Sequence, residues 1–114
     1  DYVVRYCPSG EKIFRMADYN DVLEQIFKII ISKGKGIEIN TGSLYKNMSY
    51  AHPHMDILKL YKDMGGEIIT VGSDAHKPEY LCYDFETYAR DALTSLGYRY
   101  YCTFKNRKPE FNPL

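Results

Sequence analysis

The sequence carries no net charge, because its 15 lysine and arginine residues are balanced by 15 aspartate and glutamate residues. That balance excludes the strongly basic faces of nucleic-acid-binding and membrane-surface proteins. Long apolar runs are lacking as well, and even the stretch Val22 to Ile31 is interrupted by charged Glu24 and Lys28. The sequence therefore predicts no membrane span, no membrane partner and no nucleic-acid partner.

Cysteine is scarce, and the chain has no Cys-x-x-Cys pair. Cys7, Cys82 and Cys102 are odd in number and far apart, which indicates reduced, structural thiols rather than a disulfide framework. The sequence opens on Asp1 and Tyr2 without the basic segment and apolar run of a signal peptide. We therefore expect a cytoplasmic protein.

The chain also lacks an initiating methionine, and Asp1 stands directly before an apolar segment. We expect the chain to be a piece of something longer. Its 114 residues are enough for one domain with a hydrophobic core and too few for two ordinary domains.

What the chain does contain is a regular alternation of strand-like and helix-like segments. Strands are predicted at Tyr2–Tyr6, Gly36–Asn40, Glu67–Gly72 and Tyr98–Phe104, helices at Ala17–Lys33, His54–Met64 and Asp84–Leu96, and a proline-bearing tail at Lys105–Leu114. Such alternation is typical of α/β folds in which parallel strands are joined by helices. Four strands amount to about half of a closed α/β barrel.

Two of the helices have clear apolar stripes. The first is predicted to be capped by Asn20 or Asp18, with Val22, Leu23, Ile26, Phe27 and Ile30 on one face. The last is predicted to bury Phe85, Tyr88, Ala89, Ala92 and Leu96, and to end at Gly97.

The most informative motif is Gly72-Ser73-Asp74-Ala75-His76, directly after the β-branched strand. A carboxylate and an imidazole two residues apart can converge on one ion, and this mixture of oxygen and nitrogen suits zinc, manganese or iron. The alternative is structural, with Asp74 capping a following helix and His76 in a surface turn.

Position in the fold favours the functional interpretation. In barrels of this kind, the chemistry gathers at the C-terminal ends of the strands. There the prediction places Arg5, Asn40, Asp74 and His76. An arginine can bind phosphate with two parallel hydrogen bonds, so this set indicates a metal-assisted site for an anionic substrate.

These segments resemble, in order, the C-terminal half of the PHP phosphoesterases, and most closely their histidinol-phosphatase branch. The matching stretches are Asp1–Tyr6, Gly36–Thr41, Ile57–Gly66 and Glu67–Pro78. The resemblance implies that residues 1–114 are the C-terminal part of a single distorted barrel of about seven strands, a (βα)7-type fold whose N-terminal half is absent. It also implies hydrolysis of a phosphate monoester, with two or three metal ions in the intact site.

The resemblance assigns roles to individual residues. Asp74 and His76 match metal ligands of the catalytic site, while Arg5 and Asn40 match its substrate side. The family often has a basic residue in the loop after the second strand, where this chain has Tyr45 followed by Lys46, so Lys46 is the candidate for that role. Asp74 and His76 cannot complete a catalytic metal site, so we expect the isolated piece to be inactive and to self-associate through unpaired barrel edges.

Other interpretations remain open. The intact protein could be a histidinol-phosphatase of histidine biosynthesis, a PHP phosphoesterase acting on another small phosphate, or a non-catalytic scaffold. The His52-Pro53-His54 run is itself a His-x-His pattern, but its place before a helix favours a solvent-facing loop over a metal site. The tyrosines at positions 98, 100 and 101 are predicted to be core or half-buried residues.

Overall fold

The computed structural model describes Tyr6 and residues 15–114. In chain order the helices and strands are α1 (Asn20–Ser32), β1 (Ile37–Asn40), α2 (Met55–Asp63), β2 (Ile69–Gly72), α3 (Arg90–Ser95), β3 (Tyr100–Lys105) and β4 (Lys108–Pro113). Of the predicted strand Tyr2–Tyr6, the described residue Tyr6 is helical, and the rest lies outside the described residues.

Helix α1 forms where the apolar spacing predicts it, but its start differs from the prediction. Tyr19 occupies the N-cap position without a side-chain capping bond, and the Asp18 carboxylate instead accepts a hydrogen bond from Arg15 Nε at 3.1 Å. Phe27 is buried and packs edge to face on Tyr61, at 5.2 Å between ring centroids. Two of the predicted stripe residues, Val22 and Ile26, are largely exposed, because the buried face is centred on Phe27.

The centre of the fold is a βαβ unit. Strands β1 and β2 pair in parallel, from Ile37 opposite Ile69 to Asn40 opposite Gly72, and helix α2 connects them. Ile39, Leu58 and Ile69 are fully buried, so the helix and both strands share one core.

The last helical segment has nearly the predicted extent, and all the residues of its predicted apolar stripe are buried or half-buried. It begins with a π-helical turn, Phe85–Ala89, which continues into α3. Ala89 and Ala92 are buried as predicted, but Leu93, which the prediction omitted, is fully buried.

The prediction of a tail at Lys105–Leu114 is wrong. Its residues form β4, which pairs antiparallel with β3 in a hairpin. Asn106 and Arg107 form the two-residue turn, and both have positive φ values, 50° and 63°, as the hairpin twist requires. The pattern after Tyr98 is therefore a strand pair that forms its own two-stranded sheet, and not the predicted fourth parallel strand, although β3 packs near β2.

The tyrosines at positions 98, 100 and 101, the first of which precedes β3, divide between core and surface. Tyr98 is buried and Tyr101 is half-buried, as predicted, whereas Tyr100 is exposed. Cys82 and Cys102 are free thiols, and burial raises the pKa of the Cys102 thiol, which makes it a poor nucleophile. Among the described residues, no helix combines the length and apolar character needed to cross a bilayer.

Candidate functional site

The parallel pairing of β1 and β2 brings two polar loops to one edge of the sheet. Asn40 ends β1 opposite Gly72, so the chain leaves both strands at the same place. The loop after β1 is a 3-10 helix, Thr41–Lys46, and the loop after β2 carries the Asp74 and His76 motif. The two loops therefore start as neighbours.

The loops also touch. Thr41 Oγ1 donates to the carbonyl of Tyr83 at 2.6 Å and lies 3.4 Å from the carbonyl of Gly72. A Cβ atom at Gly42 would lie 2.7 Å from the carbonyl oxygen of Ser73, so no side chain fits there without movement. Gly42 thus permits the close approach that brings Lys46 near Asp74.

Lys46 and Asp74, predicted from different parts of the sequence, are brought together. Lys46 Nζ lies 3.7 Å from Asp74 Oδ2, and both side chains are about two-fifths exposed. A solvent-facing pair of this kind contributes little to stability. It does place an ammonium group and a carboxylate next to each other beyond the C-terminal ends of β1 and β2.

His76 is oriented by the backbone of the same loop. Its Nδ1 lies 2.8 Å from the carbonyl oxygen of Asp74. Since a carbonyl can only accept a hydrogen bond, Nδ1 must carry the proton, which leaves the Nε2 lone pair available. Metal-binding histidines commonly use this arrangement, because the bond to one ring nitrogen fixes the tautomer at the other.

A third side chain, Tyr45, completes the loop contacts and was not predicted as a functional residue. Its hydroxyl donates to the carbonyl of Asp74 at 2.8 Å, the same oxygen that His76 contacts. Its ring stacks on Tyr80, with centroids 4.1 Å apart and planes 9° apart, and meets Tyr83 edge to face. The sequence signal for this cluster is weak, since Tyr45 is far in sequence from Tyr80 and Tyr83.

Asn40 has structural contacts at this edge. Its Oδ1 accepts from the backbone N–H of Gly42, and its Nδ2 donates to Glu38 Oε1, both at 2.9 Å. The Glu38 carboxylate in turn lies over Gly72, where an added Cβ would come within 2.9 Å of it. Asn40 therefore caps the 3-10 helix and orients Glu38, and its predicted contact with substrate stays a prediction.

The His52-Pro53-His54 run is not the solvent-facing loop that the sequence predicted. His52 is buried, and its backbone exchanges two hydrogen bonds with Asn40, which adds a bridge beside β1. His54 is the N-cap of α2, where its Nδ1 accepts from the backbone N–H of Asp56. Both histidines thus contribute to local structure.

The complete predicted site extends beyond what the structure describes. Arg5 lies outside the described residues, so its predicted place at this edge stays a prediction. Within residues 15–114 and Tyr6, no three side chains of His, Cys, Asp or Glu cluster closely enough to hold a metal ion. The predicted binding of one metal ion by Asp74 and His76 together therefore stays a prediction.

Comparison with known proteins relates the chain to enzymes of one kind. No family model matches it. It is 32% identical over 114 residues to the histidinol-phosphatase of Lactococcus lactis, covering 98% of this chain and 41% of the relative. It is 32% identical over 100 residues to the probable histidinol-phosphatase of Thermotoga maritima, covering 88% of this chain and 40% of the relative.

A third relative, the probable histidinol-phosphatase of Clostridium acetobutylicum, is 31% identical over 86 residues, covering 75% of this chain and 33% of the relative. The chain thus spans between a third and two-fifths of the length of the curated relatives it matches. Similarity across most of its length shows that this chain is a homologue of the histidinol-phosphatases and fits a C-terminal fragment of such a protein.

Proposed function

We propose that this chain is part of a metal-dependent phosphate-monoester hydrolase whose substrate is histidinol phosphate. The observation that carries the proposal is the similarity to three curated histidinol-phosphatases over most of the chain. The arrangement of Asp74 and His76 beyond the C-terminal end of β2 supports it, since α/β enzymes hold their chemistry at that end of the sheet.

In this proposal Asp74 and His76 are two ligands of a divalent ion, zinc, manganese or iron. The donor set fits, because the Asp74 carboxylate is partly exposed and the Nδ1 contact of His76 leaves Nε2 free to bind. A bound ion would supply an activated water and stabilise phosphoryl oxygens. Further ligands, for two or three ions in all, would come from the remainder of a PHP-type (βα)7 barrel.

The chain's own contribution to substrate binding is proposed to be Lys46, with Asn40 and Arg5. The Lys46 ammonium stands 3.7 Å from the Asp74 carboxylate, close enough to pair with a phosphate bound beside that residue. The absence of net charge in the chain suits a small phosphorylated substrate better than a nucleic acid. We place the enzyme in the cytoplasm, in histidine biosynthesis.

The test uses the intact protein and compares Asp74→Ala and His76→Ala with His54→Asn. The first two variants should lose bound metal and nearly all hydrolysis of histidinol phosphate. The control removes an imidazole while asparagine preserves the helix cap, so it should retain both. Metal content is measured by elemental analysis and turnover by phosphate release.

Two outcomes would contradict the proposal. Retained turnover in Asp74→Ala or His76→Ala would remove that residue from the site. A wild-type protein that binds metal but prefers another small phosphate would correct the substrate, and one that neither binds metal nor hydrolyses phosphates would point to a scaffold.

A further inference from the structure

The carbonyl oxygen of Asp74 accepts two hydrogen bonds, from Tyr45 Oη and from His76 Nδ1, both at 2.8 Å. We propose that Tyr45 is a positioning residue, whose hydroxyl holds this peptide group and thereby the orientation of the His76 imidazole. For metal binding, the proposal rests on the proposed role of His76 as a ligand.

The peptide group needs such support because Asp74 has an unfavourable backbone conformation. Its φ of 51° lies in the left-handed region, which residues with a side chain seldom adopt. A conformation of that kind persists only when surrounding contacts hold it. The Tyr45 hydroxyl supplies one of these contacts from outside the loop, whereas the His76 contact comes from within it.

Tyr45 is itself well anchored. Its ring stacks on Tyr80 and makes an edge-to-face contact with Tyr83, so two aromatic neighbours hold the phenol. It also belongs to the 3-10 helix after β1, whereas Asp74 and His76 follow β2. The Tyr45 hydroxyl therefore links the orientation of His76, in the loop after β2, to the position of the 3-10 helix after β1.

The two donors share one acceptor without competing. A carbonyl oxygen has two lone pairs, so Tyr45 and His76 can each use one. Removing the tyrosine hydroxyl would leave the contact from His76, within the same loop, on that oxygen and would let the peptide group turn. The imidazole would then lose its fixed Nδ1–H tautomer, and Nε2 would no longer be held ready as an acceptor.

The experiment compares Tyr45→Phe with Tyr80→Phe in the intact protein. The first removes the hydroxyl that contacts Asp74 and keeps the stacked ring, and the second keeps the same ring pair and makes no change at Asp74. Nitrogen-15 NMR of labelled histidine, at a pH where imidazole is neutral, reports the His76 tautomer. Calorimetric titration with Mn²⁺ or Zn²⁺ reports metal affinity.

We expect wild type and Tyr80→Phe to show one Nδ1–H tautomer of His76 and equal metal affinity. Tyr45→Phe should show mixed tautomers and bind metal about tenfold more weakly, at the low end of the effect of losing an outer-shell partner. An unchanged tautomer in Tyr45→Phe, or an equal change in Tyr80→Phe, would overturn the proposal.

The outcomes separate this proposal from the proposed function. If the wild-type protein binds neither metal, the proposed function fails, and the comparison of tautomers still decides whether Tyr45 positions His76. If the tautomer changes but metal affinity does not, the orienting contact has no bearing on metal binding, and the role of Tyr45 at the metal site is refuted.

Discussion

Lys46 Nζ lies 3.7 Å from Asp74 Oδ2, although the two residues belong to loops that follow different strands. The contact depends on the parallel register of β1 and β2, which makes their C-terminal ends coincide. It also depends on Gly42, whose missing side chain lets the loops meet. The pair is therefore a product of the βαβ unit.

Replacement of Lys46 should weaken substrate binding. We expect Lys46→Met in the intact protein to raise KM for histidinol phosphate about tenfold, because a hydrogen bond to a charged group contributes about 1.5–3 kcal/mol. Lys59→Met is the matched control, since Lys59 pairs with Asp63 on the surface of α2. Steady-state kinetics checks the expectation, and equal KM values in both variants would exclude Lys46 from the site.

Gly42→Ala should damage the site more than the fold. The new Cβ would be forced against the Ser73 carbonyl, so the loops must separate and Lys46 must withdraw from Asp74. Gly65→Ala is the contrast, because Gly65 has open space and a φ of +87°, and alanine there costs stability without touching the loops. Metal affinity and thermal unfolding of both variants distinguish the two effects. Equal metal affinity in both would contradict the expectation.

Leu58 should be a large contributor to stability. It is fully buried between α2 and the strands, and Leu58→Ala is expected to lower the free energy of unfolding by about 2–5 kcal/mol through lost contacts and a cavity. Leu81→Ala serves as control, because Leu81 is 68% exposed and should change stability little. Denaturant unfolding of the intact protein measures both, and a cost below about 1 kcal/mol for Leu58→Ala would mean that the core is packed differently.

Stability should fall at alkaline pH. Burial raises the pKa of Tyr98, whose hydroxyl donates to the Gly66 carbonyl, and it also raises the pKa of Tyr61. Because the folded state then holds these protons more tightly than the unfolded state, stability is full below pH about 10 and declines as pH rises beyond it. Denaturation curves between neutral and alkaline pH check this. Tyr98→Phe should show a shallower decline than the exposed control Tyr100→Phe, and parallel declines would refute the assignment to Tyr98.

The isolated 114-residue chain should self-associate. Val22, Ile26 and Ile29 lie along α1 with about half of their surface exposed, and such apolar area favours contact between copies. Sedimentation should show concentration-dependent association, reduced by Val22→Lys with Ile29→Lys. The control Thr94→Lys lies on a different exposed helix surface and should leave it unchanged. A monodisperse monomer of the unaltered chain would contradict the expectation.

The sequence predicted the βαβ unit well, because its signals are local. Gly34, Gly65 and Gly97 end helices with positive φ values, and the apolar runs before Asn40 and Gly72 mark buried strands. The half-barrel stays a proposal, as do the roles of Arg5 and Asn40. One departure from expectation, the bridge from His52 to Asn40, depends on a contact between separate segments, whereas another, the hairpin of β3 and β4, is local.

The contact of Tyr45 with Asp74 could not be predicted, because it too joins separate segments. Asp74 and His76 lie two positions apart and form a short motif. Tyr45, whose hydroxyl contacts the Asp74 carbonyl, is 29 residues away from Asp74 in the sequence. The π-helical turn before α3 was likewise not indicated by the apolar periodicity. The sequence thus indicates a pair of candidate functional residues when the two lie close together in it. It does not indicate the distant residues that position them.

The prolines of the C-terminal hairpin limit how another strand can pair with the β3–β4 sheet. The residues flanking a two-residue turn exchange hydrogen bonds, and the pairs alternate from there, so Pro109 and Pro113, opposite Phe104 and Tyr100, occupy positions whose nitrogen faces outward. Proline has no N–H to offer an incoming strand. The outer edge of β4 is therefore a poor template for extending the hairpin sheet by another strand.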